Sequence, residues 1–355
     1  MEYYIVLLVF YAITLIFLRL VFAEIEGRQA RKMSNVRYFL RYHSKFVYRN
    51  QFSIIFVAFL CYMIVSVEKA FSTMWFLQLL GFIAVGVISD ALSQIVYYYY
   101  INFRFKKDIV ESEELKNEIE QAVLNQGEEL MQQTIPSYEP HRIIEDYLNE
   151  ENHLAVISVD GGNFTSQFEK LPPITYSVEL NPTKARETLE EKGVKVTTFT
   201  SQGKMPFKDE KLDVVVNELS NYDKFEMYRI LKPGGYLVVD QLGSDNYKEI
   251  INMFIPFKLK GQWNKEACQS TLTEIGFDIV DSYEDVGHIR FHSLSAVLAF
   301  MKSISPERVE KYEQFMNFYA DVLKKIKKNQ FYEITTHKFM VIARKNDKIS
   351  CFFNL

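Results

Sequence analysis

Ligand-holding chemistry in this chain sits where apolar runs stop. Leu154-Ala155-Val156-Ile157-Ser158-Val159 reads as a buried strand and runs straight into Asp160-Gly161-Gly162-Asn163. Glycines at such a turn let the backbone approach a ligand closely and leave the start of the next helix free to receive a polar group. A second strand, Thr175-Tyr176-Ser177-Val178-Glu179, ends in an acid. A carboxylate there can accept both hydroxyls of a ribose. Each signal is common alone, since many strands end in glycines or in a solvated Glu; their order carries the weight. The six histidines show no HExxH or clustered pattern, and Cys61, Cys268 and Cys351 share no metal-like spacing. No metal is implied, and the thiols read as reduced.

The elements that must position these residues alternate. An amphipathic helix at 141–149 precedes the first strand. After Glu179 come a helix at 183–192, Gly193, a strand at 194–199, a strand at 212–216, a helix at 223–230 and a strand at 236–240. Such alternation predicts a parallel, doubly wound sheet that receives its ligands at the carboxyl ends of the strands.

In this order the motifs resemble those of class I S-adenosylmethionine-dependent methyltransferases. They are the strand ending in Gly161-Gly162, the strand ending in Glu179, Met205-Pro206-Phe207 followed by Asp213-Val214-Val215-Val216-Asn217, and Leu231-Lys232-Pro233-Gly234-Gly235 before a further strand. The resemblance runs from about residue 141 to 344. It is nearest to a group of uncharacterised bacterial methyltransferases, which share Gln241-Leu242-Gly243, Asp245-Asn246, a late helix like Ser295 to Lys302 and a last strand like His337-Lys338-Phe339. It implies a Rossmann-like α/β domain at 141–345, mostly parallel, with an antiparallel carboxyl-terminal hairpin. It implies S-adenosylmethionine as cofactor, held by Asp160, Gly161, Gly162, Glu179, Leu180, Ser201, Gln202 and Asn217. The chain also departs from the family pattern, which has an acid at Val156, glycines at Ser158 and Asp160, and Asp-Ala where Ser201-Gln202 stand. Two functions are therefore expected as alternatives: a methyltransferase acting on an unknown acceptor, or a degenerate domain serving as a membrane-tethered binding or scaffolding module. Methyl transfer from a sulfonium asks chiefly for alignment and exclusion of water. His292, in Phe291-His292-Ser293, is the candidate general base for a poor nucleophile; a hydrogen-bonded structural histidine is the competing reading.

The first hundred residues differ in kind. Apolar runs at 3–23, 52–67 and 71–95 read as transmembrane helices, since about 20 apolar residues span a hydrocarbon core about 30 Å thick. Arg28, Arg31, Lys32, Arg37, Arg41, Lys45 and Arg49 follow the first run, against Lys69 alone in the turn between the others. That asymmetry predicts a multi-pass cell-membrane protein with its amino terminus outside and its large domain cytoplasmic. The division is a membrane region at 1–103, a juxtamembrane connector at 104–140, the domain at 141–345 and a tail at 346–355. Asp90 interrupts the third run. It either lies at headgroup level or shares a polar site with Ser89, Ser93 and Gln94. Leu115, Ile119, Ala122 and Val123 give the connector one apolar stripe through which two copies can pair. A net charge of −4 without a basic and aromatic stripe gives no case for nucleic acid. The expected partners are the lipid bilayer and a methyl acceptor that is small or membrane-associated. Residues 135–355 are expected to fold without the spans.

Overall fold

The computed structural model describes residues 2–44, 73–125, 131–199, 204–254 and 263–346. In chain order the helices are α1 (Glu2–Lys32), α2 (Val36–Ser44), α3 (Thr73–Arg104), α4 (Lys106–Leu124), α5 (Pro140–Glu145), α6 (Asn163–Ser166), α7 (Pro182–Leu189), α8 (Lys224–Ile230), α9 (Lys248–Phe254), α10 (Lys265–Glu274), α11 (Leu294–Ile304), α12 (Pro306–Glu310) and α13 (Met316–Asn329). The strands are β1 (Met131–Gln133), β2 (His153–Ser158), β3 (Ile174–Glu179), β4 (Lys195–Thr197), β5 (Leu212–Glu218), β6 (Leu231–Leu242), β7 (Phe277–Phe291) and β8 (Tyr332–Lys345). They form two units, Met1–Leu130 with Phe291–Tyr332, and Met131–Arg290 with Glu333–Leu355. Residues 291–332 thus belong with the amino-terminal helices. The segment expected as one domain at 141–345 is thus divided, and a fragment 135–355 lacks the helices against which 291–332 pack.

In the first unit α1 lies along α3. Contacts advance together on both: Arg19 with Asp90, Glu26 with Tyr97, and Arg31 with Asp108 at the head of α4. The two helices are therefore parallel. Asp90 accepts from Arg19 and, at 2.8 Å, from Gln94 Nε2, with Ser93 and Gln94 buried beside it. The polar site is the setting observed, and it contains an opposite charge from the first apolar run. Further along, Phe105 fills a notch at Gly27, where an added Cβ would come within 2.3 Å of its ring. The Arg31 and Arg104 guanidinium groups lie 5.1 and 5.7 Å from that ring.

Ile109, Leu115, Ile119 and Ala122 of α4 are buried, and α4 packs on α2, α11 and α13. Glu118 accepts from Lys327 at 2.6 Å, and Glu111 meets Lys324 at 3.4 Å. Within its own chain this stripe, expected as a face for pairing two copies, packs on these helices. Among the described residues no helix is long and apolar enough to cross a membrane. The expected spans at 3–23 and 71–95 each carry a charge inside the apolar run, Arg19 and Asp90. Residues 71 and 72 and all of 52–67 lie outside the described residues. Along α1 and α3, Val6, Phe10, Ile13, Phe17, Leu80 and Val87 are exposed.

The second unit is built on an eight-stranded sheet in the order β1-β7-β8-β6-β5-β2-β3-β4. Strands β4, β3, β2, β5 and β6 run parallel, and β8 is antiparallel to β6. Arg290 meets Glu333 and Glu284 meets His337, so β7 and β8 also run antiparallel. Successive residues of each central strand enter different cores. Ala155, Ile157, Val215 and Val239 pack with Met227, Ile230 and Leu272. Leu154, Val156, Val216 and Val238 pack with Ile144, Phe164 and Phe168. Burial on both faces is why these strands are continuous apolar runs rather than alternating ones.

We expect Arg19→Leu and Asp90→Leu each to destabilise the helix pair, and the double substitution to be the milder change, because removing one partner strands the other charge in a part-buried site. Thermal unfolding of the four proteins in one detergent measures the coupling, expected at about 0.5–3 kcal/mol. Additive effects would show that the pair contributes nothing.

Candidate functional site

The five parallel strands follow the doubly wound order, and its reversal falls between β2 and β5. Ligands of such sheets lie outside the carboxyl ends of the strands at that point. Four side chains line up there. Glu179 is in register with Ser158, Glu218 is in register with Asp240, and Ser158 Oγ lies 2.8 Å from Glu218 Oε2. The row crosses β3, β2, β5 and β6 on the face that carries Val156, Val216 and Val238 two residues earlier. None of the four is more than 6% exposed.

The glycine turn is tied to this row. Gly161 and Gly162 have φ of +74° and +86°, a region L side chains rarely adopt. An added Cβ at Gly162 would also meet Ala185 Cα at 3.2 Å. Glu179 Oε2 accepts the Gly161 N–H at 3.2 Å, and Oε1 accepts the Ser177 hydroxyl at 3.0 Å. Asp160 closes the turn from the other side, accepting the N–H groups of Asn163 and Phe164 at 2.9 and 2.7 Å. The expectation that the helix start stands free for a ligand is thereby corrected: Asp160 occupies it, and α6 is only 4 residues long.

Geometry and burial both favour a proton within the row. Ser158 Oγ is 2.8 Å from Glu218 and 3.1 Å from Asp160 Oδ1. A hydroxyl has one proton to give, so it cannot satisfy two ionised carboxylates. A proton on Glu218 resolves this, donated to Ser158 Oγ while Ser158 donates to Asp160. Burial pushes the Glu218 carboxyl up to about 7, and the nearby Asp160 and Asp240 charges add to it against Ser158 and Lys338. Burial likewise raises Glu179, opposed by its bonds from Ser177 and Gly161. Burial also raises Asp240, whose counter-charge is Lys338 Nζ at 3.0 Å.

The other expected residues divide. Asn217 is fully buried; its Nδ2 donates to the Ser220 carbonyl at 2.9 Å, and its Oδ1 has no hydrogen bond among the described residues. Leu180 is 68% exposed just past β3. Ser201 and Gln202 lie outside the described residues. His292 belongs to the first unit, where it is exposed and its Nδ1 lies 3.0 Å from the Gln330 carbonyl. The Lys-Pro-Gly-Gly motif anchors strands: Lys232 Nζ binds both oxygens of Asp213 at 2.8 Å, and Asp213 accepts the His153 N–H at 2.8 Å. Arg229 donates to the Phe207 carbonyl at 2.9 Å and so pins Met205-Pro206-Phe207. Sequence reasoning missed Glu218, Asp240 and Ser158 as site residues. The signal was present, since Glu218 and Asp240 end apolar strands just as Glu179 does.

No protein-family model matches the sequence, and no curated protein matches it. Among solved structures the chain is similar to a candidate methyltransferase from Bacillus halodurans, at 18% identity and a TM-score of 0.42 over 58% of this chain and 97% of that one. It is similar to a candidate sarcosine dimethylglycine methyltransferase from Galdieria sulphuraria, at 15% and 0.38 over 59% and 83%. It is also similar to a functionally unknown protein from Deinococcus radiodurans, at 10% and 0.42 over 61% and 91%. With likeness this low, strand order and strand-end residues carry the functional reading.

A carboxyl raised from 4.5 to about 7 binds its proton more tightly in the folded chain than in the unfolded one. Its contribution to stability is full below pH 4.5 and is lost as pH rises through about 7. Glu218→Gln should therefore overtake the ligand-free native protein in stability as pH rises from 5 to 8, with a relative change of order 3 kcal/mol. Denaturant unfolding of both proteins across that range measures it, and parallel stability curves would refute the buried proton.

Proposed function

We propose that the second unit binds S-adenosylmethionine at the carboxyl ends of β2, β3 and β5 and presents its methyl group to an acceptor. The observation that carries this reading is Glu179: a fully buried carboxylate, at the switch point, holding the glycine turn. An ionised carboxylate has about four acceptor sites. Glu179 engages Ser177, Gly161 and Gly162, which leaves one for a ribose hydroxyl. The cofactor, when bound, supplies a methyl group already activated on a sulfonium. The chain's own residues then need to orient and to exclude water. Gly161 and Gly162 let the backbone approach, Leu180 offers an apolar surface beside the ribose site, and the acids of the row favour a cation.

A non-catalytic binding or scaffolding module is the second reading, and two observations favour it. Val156 is buried in the core where the family pattern has an acid, and Asp160 is engaged in closing the turn.

The proposed setting is the inner face of the cell membrane, with the amino terminus outside. Three features support it: the excess of basic residues after the first apolar run, the exposed apolar side chains of α1 and α3, and their parallel course, as first and third passes would run.

Calorimetric titration of the full-length protein with S-adenosylmethionine tests the cofactor. Glu179→Gln should weaken binding by about 1.5–3 kcal/mol, roughly ten- to a hundredfold or somewhat more. Glutamine is preferred to alanine because Glu179 is buried and its loss would leave the Gly161 N–H and Ser177 hydroxyl unpaired. An affinity unchanged by the substitution would sink the site assignment, and no binding to the native protein would favour the scaffolding module.

For topology, a phosphatase fused after Leu355 should be inactive; activity in the exported compartment would reverse the proposed orientation.

A further inference from the structure

We infer that Glu218 holds a proton in the ligand-free protein and releases it when a cationic ligand enters the strand-end site, so that the row selects a sulfonium cofactor over its neutral thioether product. The inference rests on the proposed cofactor site and adds a discriminating residue to it.

The argument starts from charge. Asp160, Glu179, Glu218 and Asp240 meet at the carboxyl edge of four adjacent strands, and the ammonium that joins them is Lys338, paired to Asp240. Two like charges 4 Å apart repel by about 4 kcal/mol at an effective dielectric constant of 20. Glu179, Glu218 and Asp240 are at most 6% exposed, so full ionisation of the group requires another positive charge. Asp240 points the same way: it is fully buried, and the ammonium that meets it among the described residues is Lys338, 3.0 Å from Oδ2. The groups facing Glu218 are Ser158 from β2, Asp160 from the turn, Asp240 from β6 and Lys338 from β8. His141 and Tyr138 approach Asp240 from the segment before β2, and Lys184 of α7 lies over Gly161. Glu218 is the member whose hydroxyl partner, Ser158, is shared with a second carboxylate, and a proton on Glu218 lets that hydroxyl serve both.

A sulfonium entering this site replaces the proton as the balancing charge, and the proton leaves to solvent. Loss of the methyl group turns the sulfonium into a thioether and removes that charge, so Glu218 takes a proton back and the site loosens its hold. S-adenosylmethionine and S-adenosylhomocysteine share adenine, ribose and amino-acid groups and differ by this charge, which makes them a matched pair of probes.

Calorimetric titrations of the full-length protein with each ligand at pH 5.5 and 7.5 test the inference. Affinity for S-adenosylmethionine should rise about twentyfold across that interval, since ligand binding that releases one proton is favoured by higher pH until the group is ionised without ligand. Affinity for S-adenosylhomocysteine should stay within about twofold. In Glu218→Gln, which cannot release a proton, the rise for S-adenosylmethionine should vanish; the comparison of ligands on the native protein stands even if that variant does not fold. Equal pH responses for the two ligands, or an undiminished response in a folded Glu218→Gln, would overturn the inference while leaving the cofactor site intact. Failure of both ligands to bind would overturn the two together.

Discussion

A parallel sheet covered on both faces can gather polar side chains in few places, and the open ends of its strands are the main one. In the second unit Val156, Val216 and Val238 lie in one core and Ile157, Val215 and Val239 in the other, so polarity begins where the strands stop. Everything functional in this unit follows from that limit. The glycine turn, Glu179, Glu218 and Asp240 all emerge at the same edge because the strands that carry them run the same way. Lys232 on Asp213, and Asp213 on the His153 backbone, hold the opposite ends of β6, β5 and β2 together and so fix the register that sets the row side by side.

That register has a cost. Carboxylates removed from water prefer to be neutral, and neighbouring ones raise one another further. A chain under selection for stability alone would do better with apolar residues at these positions. Glu179 shows how such a group is kept ionisable, through the Gly161 N–H and the Ser177 hydroxyl. Glu218 has, among the described residues, the shared hydroxyl of Ser158. The two acids thus differ in environment: Glu179 is held by several donors, and burial weighs more heavily on Glu218.

Much of the sheet was legible in the chain. Apolar runs such as Leu154 to Ile157 announce strands buried on both faces, and the glycine and acid signals at Gly161-Gly162 and Glu179 mark the right edge. The row was not legible, because which residues stand beside one another depends on register between strands that are distant in sequence, as Ser158 and Glu218 are. Asp160 was legible as polar but not as a cap, since its role depends on a helix of one turn. The association of 291–332 with α4 was equally hidden: Lys327 and Glu118 are 209 residues apart, and neither carries a pattern that names the other.

The Arg19–Asp90 pair sets a schedule for biogenesis. Its members are 71 residues apart, so at synthesis rates of about 5–20 residues per second the arginine leaves the ribosome roughly 4–14 s before its counter-ion exists. Throughout that interval Arg19 lacks the partner it has in the folded chain, although Glu24 and Glu26 follow within seven residues. Docking of α3 then completes two things at once, the packing of the pair and the neutrality of its interior, and makes the arrival of the later helix the step that commits the earlier one to its place.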